Sequence, residues 1–153
     1  MAERFENVEA VLDFAIANEI EAQLFYRDLA AKATVPAMKE VFLEFAKEEA
    51  AHQAKLEGAR EGWLTLGSGS EKVLNMGLAD YLVPAPPKPD MTYAEALILA
   101  MKKEKAAYKL YTDLAAVAEA EEFTDLLLSL AAEEARHKLR FEIEYDDVVL
   151  KED

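Results

Sequence analysis

At 153 residues the chain has the length of one ordinary domain, and its formal net charge of −14 excludes the basic footprint of nucleic-acid binding and docking on an anionic membrane surface. The absence of cysteine excludes disulfides, iron–sulfur clusters and thiolate metal sites, and fits a reducing, cytoplasmic setting. No window approaches the ~20 apolar residues of a membrane span, and the charged start Met1-Ala2-Glu3-Arg4-Phe5-Glu6 carries no apolar signal stretch. Alanine, leucine, glutamate and lysine dominate, so an all-α protein is expected, folded as a single domain over residues 1–153.

The first helix is expected from about Asn7 to Ala33. Val8, Val11, Leu12, Ala15, Ile16, Ala22, Leu29 and Ala33 recur at the three- and four-residue spacing of a buried stripe. Glu19 lies in line with that stripe, where a carboxylate is costly unless paired or bound to metal. Tyr26, two turns further on, shares this face. Thr34-Val35-Pro36 breaks the chain, with the proline suited to a first helical turn, and so short a link makes the next helix an antiparallel neighbour. That second helix should run to about Arg60, burying Met38, Val41, Phe42, Phe45 and Leu56 beside Glu49 and His52. Glu49 and His52 stand at i and i+3, on one face and one turn apart, where both can reach one metal ion. Glu48 lacks that relation and is expected in solvent.

From Gly58 the character changes, and residues 62–91 read as a crossover. They are glycine-rich at first, helical at most over 70–83, then semi-rigid in Pro84-Ala85-Pro86-Pro87-Lys88-Pro89. Trp63, Met76 and Tyr81 are its expected anchors on the bundle, and it offers no site chemistry. Thr92-Tyr93-Ala94-Glu95 is a capping-box pattern opening a third helix to about Ala118, which carries Glu104 and Tyr111. Lys102, Lys103 and Lys105 flank Glu104 on other faces or at the boundary. A fourth helix from near Glu121 to beyond Tyr145 buries Phe123, Leu126, Leu127, Leu130 and Phe141 around Glu134 and His137.

The chain is written twice. Glu49-Ala50-Ala51-His52 returns as Glu134-Ala135-Arg136-His137 after 85 residues (134 − 49 = 85), and these are the only two histidines. The same offset lays Glu19 on Glu104, Tyr26 on Tyr111, Asp28-Leu29-Ala30-Ala31 on Asp113-Leu114-Ala115-Ala116, and Glu48 on Glu133. A constant offset across two helices and their link means a duplicated helical hairpin, residues 7–61 and 92–148. It also selects Glu19 over Glu21, whose counterpart is Ala106.

Six candidate ligands follow: Glu19, Glu49, His52, Glu104, Glu134 and His137. One glutamate from each of two helices and Glu-x-x-His from each of two others is the carboxylate-bridged two-metal arrangement of four-helix bundles. Imidazole with carboxylate suits iron(II), with manganese(II) as the alternative.

The doubled Glu-x6-Tyr and Glu-x-x-His, at Glu19/Tyr26, Glu49/His52, Glu104/Tyr111 and Glu134/His137, resemble the diiron domain of the rubrerythrins, within the ferritin-like superfamily. The resemblance covers nearly the whole chain, least of all the crossover. It implies a ferritin-like four-helix bundle with a long crossover between helices two and three. It also implies a non-haem diiron site that reacts with hydrogen peroxide or dioxygen. Glu49 and Glu134 would then bridge two irons, Glu19 and Glu104 would be terminal ligands, and Tyr26 and Tyr111 would donate hydrogen bonds to the carboxylates.

Two departures qualify the likeness. The further glutamate that a typical rubrerythrin carries three residues before its third-helix ligand is Met101 here, and its counterpart in the first hairpin is Ile16. The cysteine-bearing rubredoxin module is missing, so turnover needs electrons from a separate donor protein. The resulting expectation is a peroxide-reducing diiron protein of oxidative-stress defence, cytoplasmic, and a homodimer or larger. The alternative is a ferroxidase, iron store or iron buffer reacting with dioxygen, since the six-ligand set also resembles bacterioferritin. Manganese catalase is a third and more distant likeness.

Overall fold

A computed structural model describes residues 8–66, 77–83, 90–118 and 120–150, leaving aside the side chains of residues 8, 63–66, 78, 79 and 150. Four long helices carry the fold: α1 (Val8–Lys32), α2 (Pro36–Leu66), α3 (Tyr93–Val117) and α4 (Glu121–Leu150). Two of the starts have a local cause. Pro36 opens α2, where its missing N–H is harmless, and Val35 before it is steered out of helical geometry. Thr92 caps α3 by accepting from the Glu95 N–H, while the Glu95 carboxylate accepts from the Thr92 N–H, the reciprocal box that its sequence predicts.

Two boundaries differ from the sequence reading. The second helix does not fade at Arg60 but continues through Gly58 and Gly62 to Leu66. Glycine in a helix costs about 1 kcal/mol against alanine, yet at Gly62 an added Cβ would lie 2.9 Å from the Phe123 ring. The bare backbone lets α2 and the start of α4 approach closely. Within 77–83 the crossover forms a single 3-10 turn, Leu78–Tyr81. Tyr81 anchors it as expected, buried in the core with its hydroxyl donating to Asp113 at 2.7 Å. Met76, the Trp63 side chain and the Pro84–Pro89 stretch lie outside the described residues.

Contacts along the helices set their directions. Arg60, near the end of α2, pairs with Glu9 and Asp13 at the start of α1, so the first hairpin is antiparallel. Tyr93 at the start of α3 donates to Glu144 near the end of α4, so the second is too. The Phe42 ring, early in α2, packs 6.1 Å from Tyr93, early in α3, which makes α2 and α3 parallel. The chain therefore runs up, down, down, up, so the end of α2 and the start of α3 lie at opposite ends of the bundle. Each hairpin is tightly packed within itself, whereas the two hairpins meet more sparsely.

Among the described residues two apolar clusters lie along the bundle. One centres on Leu12, Leu56, Leu110, Leu114, Leu127 and Leu130. The other centres on Phe25, Leu29, Phe42, Phe45, Leu97 and Phe141. The 85-residue repeat exchanges them: Leu12 with Leu97, Leu29 with Leu114, Phe42 with Leu127, and Leu56 with Phe141. The duplication thus produces a pseudo-twofold whose halves fill opposite ends of the molecule. Phe141 lies 5.3 to 5.8 Å from the rings of Tyr26, Phe42 and Phe45, and its truncation to alanine would cost about 3–5 kcal/mol. The six candidate ligands belong to neither cluster.

Candidate metal centre

The inward faces of the four helices bring Glu19 (α1), Glu49 and His52 (α2), Glu104 (α3), and Glu134 and His137 (α4) together, none more than 2% exposed. They form two overlapping groups. Glu19, Glu49, His52 and Glu134 make one, and Glu49, Glu104, Glu134 and His137 the other, with one ligand atom per residue within 4.8 Å of the rest. Glu49 and Glu134 belong to both. The His52 Nδ1 lies 2.9 Å from Glu134 and 3.5 Å from Glu19, and the His137 Nδ1 lies 3.0 Å from Glu49 and 3.7 Å from Glu104.

These approaches lack hydrogen-bond geometry. Both Nδ1 atoms, both Glu49 oxygens, and one oxygen each of Glu19, Glu104 and Glu134 are buried without a hydrogen-bond partner. Potential ligand atoms that converge without partnering each other suit cations between them, because a buried unsatisfied polar atom is otherwise costly. Two divalent cations would also balance the four carboxylates. The donor set fits two iron or manganese ions.

Electrostatics without metal show the strain of this packing. Burial pushes Glu49, Glu104 and Glu134 well above the ordinary carboxylate range, and neighbouring carboxylate charges add to it. Burial pushes Glu19 up too, but the nearness of Glu49 and His52 and the bond from Tyr111 outweigh it and hold Glu19 below that range. Burial would lower the His52 pKa, yet Glu134 and Glu19 raise it to about 11.

The outer nitrogens reveal one residue that the sequence reading misplaced, Glu48, and one that it left without a role, Glu133. The His137 Nε2–H donates to Glu48 at 2.7 Å, and the His52 Nε2–H donates to Glu133 at 2.8 Å. Glu48 is therefore not a solvated side chain: it reaches across from α2 to α4, where Arg136 also holds it at 2.5 Å. Burial raises its pKa, but His137 and Arg136 prevail and keep it low. An acceptor on Nε2 fixes the tautomer that turns the Nδ1 lone pair inward. The signal was present as the repeated Glu-Glu-x-x-His, whose first glutamate recurs with the second.

The tyrosines differ. The Tyr111 hydroxyl donates to Glu19, as anticipated. Tyr26 is fully buried beside His137 and Phe141, but its hydroxyl has no partner, so its expected bond to a carboxylate is not formed.

Among the described residues one side of the centre is open. A cavity of about 270 Å³ between α1 and α3 is lined by the four candidate-ligand glutamates, by Glu21, Tyr26 and Lys103, and by neither histidine. Tyr81, Leu82 and Val83 form part of its wall, so the crossover does contribute to the site, contrary to the sequence reading. On the opposite side the Phe45 ring stacks on His137 at 3.9 Å.

Comparison with known proteins agrees with this architecture. The family model for rubrerythrin matches residues 10–76 and 78–153. A hypothetical protein from Pyrococcus furiosus is 29% identical with a TM-score of 0.70, over 90% of this chain and 87% of that one. A structure from Thermotoga maritima described as a ferritin-like diiron-carboxylate protein is 22% identical with a TM-score of 0.77, over 95% of this chain and 99% of that one. A conserved hypothetical protein from Mycobacterium tuberculosis is 17% identical with a TM-score of 0.65, over 89% and 88%. No curated protein matches the chain. Among the described residues no helix is long and apolar enough to cross a membrane. With its ferritin-like bundle and its Glu/His centre, the chain belongs to the rubrerythrin family.

Proposed function

We propose that this protein is a diiron peroxidase, reducing hydrogen peroxide to water with electrons from a separate donor protein. Glu49 and Glu134 would be shared between two irons, with Glu19 and His52 completing one site and Glu104 and His137 the other. The observation that carries this reading is the pair of overlapping ligand groups fronting a cavity on their carboxylate side. When bound, the two metal ions supply the two electrons that cleave the O–O bond.

The chain's own residues do the rest. Four glutamates hold the cations and leave the cavity side free for a small oxidant. The Tyr26 hydroxyl, buried on that cavity without a partner, can donate to an oxygen atom there. Glu48 and Glu133 hold the imidazoles in the ligating tautomer. Phe45 and the apolar clusters exclude bulk water from the other sides. Met101, half-buried against the aromatic cluster, offers no further carboxylate, so the ligand set stays at six.

Anaerobic stopped-flow mixing of the iron(II)-loaded protein tests the reading. Two irons per chain, oxidised much faster by hydrogen peroxide than by dioxygen and turning over with a reductant, are expected. Faster reaction with dioxygen and uptake of many irons would replace it with ferroxidase and storage activity. Fewer than two metals per chain would overturn the site itself.

A further inference from the structure

The cavity over the carboxylates inherits the duplication. Positions 18, 19, 21 and 22 of α1 line it, and so do their counterparts 103, 104, 106 and 107 of α3 (103 − 18 = 85). Two of these pairs match in kind, Glu19 with Glu104 and Ala22 with Ala107. The other two do not. Asn18 faces the charge of Lys103 across the repeat, and Glu21 the methyl of Ala106.

The two charges that break the symmetry meet each other. Lys103 Nζ lies 2.5 Å from Glu21, joining α3 to α1. The symmetry-related place offers Asn18 and Ala106, which cannot form an ion pair. Lys103 is held firmly, with only 13% of its side chain exposed and its ammonium 5.4 Å from the Phe25 ring centre, while Glu21 is 56% exposed. Among the described residues Lys103 is the one cationic side chain lining a cavity that four buried carboxylates also line. Among the described residues this cavity reaches all four glutamates, whereas the groove on the opposite side ends on Phe45 and touches none of them.

We infer that the Lys103–Glu21 ion pair is a charge gate on this cavity. Lys103 restrains the uptake of divalent cations by the four carboxylates, and Glu21 restrains Lys103. Hydrogen peroxide is uncharged and passes without that restraint. The inference rests on reading the glutamates as metal ligands. Charges that line a route act on the rate at which an ion travels it, and salt weakens that action.

The test is the rate of cobalt(II) binding to the metal-free protein by stopped-flow absorption, with the equilibrium number of cobalt ions per chain measured alongside. Lys103→Met should speed uptake by about tenfold at low salt, Lys103→Arg should leave it near the wild-type rate, and Glu21→Gln should slow it. In about 1 M salt, where the Debye length is about 3 Å, the rates should converge. A loosened structure would instead speed uptake in both charge-removing variants regardless of salt, and that result overturns the gate. Equal rates in all variants, with two ions still bound, overturn the gate and leave the ligand assignment standing. Failure of the wild type to bind cobalt removes both. Should Lys103→Met not fold, Glu21→Gln decides alone, because it alters an exposed side chain and must slow uptake.

Discussion

His137 on α4 donates through Nε2 to Glu48 on α2 at 2.7 Å, and the duplication repeats the bond in reverse, from His52 on α2 to Glu133 on α4. Each candidate ligand imidazole is thus oriented by the helix it does not belong to. Replacing Glu48 or Glu133 by alanine should lower metal affinity by about 10- to 100-fold while the ion count at saturating metal stays at two. Competition against a chelator measures the first and metal analysis the second. A variant with unchanged affinity would show that the imidazoles need no outer acceptor.

The overlap of the two ligand groups makes a graded set of variants informative. His52→Ala leaves Glu49, Glu104, Glu134 and His137 together and should retain one metal, and His137→Ala should retain the other. Glu134→Ala removes a member of both groups and should weaken both ions. Circular dichroism should show an unchanged helical protein in each case, because the two apolar clusters are untouched. Equal metal loss in the histidine and glutamate variants would contradict a shared carboxylate.

Metal and proton compete for the same groups, which sets a pH dependence. In the metal-free protein Glu49, Glu104 and Glu134 have pKa values raised above the usual 4.5, chiefly by burial. They bind more protons folded than unfolded, so their stabilising contribution is lost as pH rises above that value. His52, raised to about 11 despite burial, acts in the same sense, with its contribution fading above 6.5. Glu19 and Glu48, held low, oppose them only below the usual carboxylate range, where the unfolded chain takes up protons. Between about pH 5.5 and about pH 8 the raised groups act alone, so metal-free protein should melt several degrees lower at the higher pH. Loaded protein should show a smaller change. Binding must also release the His52 proton, so affinity should rise with pH. Thermal melts of both forms and proton release in an unbuffered titration check these signs.

What could be read from the sequence was whatever chemistry demands locally. A metal ligand pair needs Glu and His one turn apart, and Glu49/His52 and Glu134/His137 announce themselves by that spacing. The stripe from Val11 to Leu29 follows from helical periodicity alone. What escaped depends on partners from another helix. Nothing beside Glu48 says that its acceptor faces His137, although the repeat of Glu133 hinted at it. Gly62 looked like the end of a helix because the Phe123 ring that rewards its missing Cβ lies on α4. Tyr81, Leu82 and Val83 gained their place on the cavity wall only through the return path of the crossover.

The two tyrosines, equivalent by repeat, should respond differently to loss of the hydroxyl. Tyr111 donates to Glu19 inside the bundle, and burial together with the Glu19 charge keeps its own pKa well above the ordinary tyrosine value. Tyr111→Phe leaves a buried carboxylate short of a donor and should cost the metal-free protein about 1–3 kcal/mol. The Tyr26 hydroxyl has no partner to lose, so Tyr26→Phe should be neutral or slightly stabilising in the same denaturant titration. With iron bound the order should reverse in kinetics. If Tyr26 is the donor to the oxidant, as proposed, Tyr26→Phe should slow oxidation by hydrogen peroxide more than Tyr111→Phe does. If the slower variant in the peroxide reaction is also the less stable one, Tyr26 has no role toward the oxidant and the cavity's polar contact must come from elsewhere.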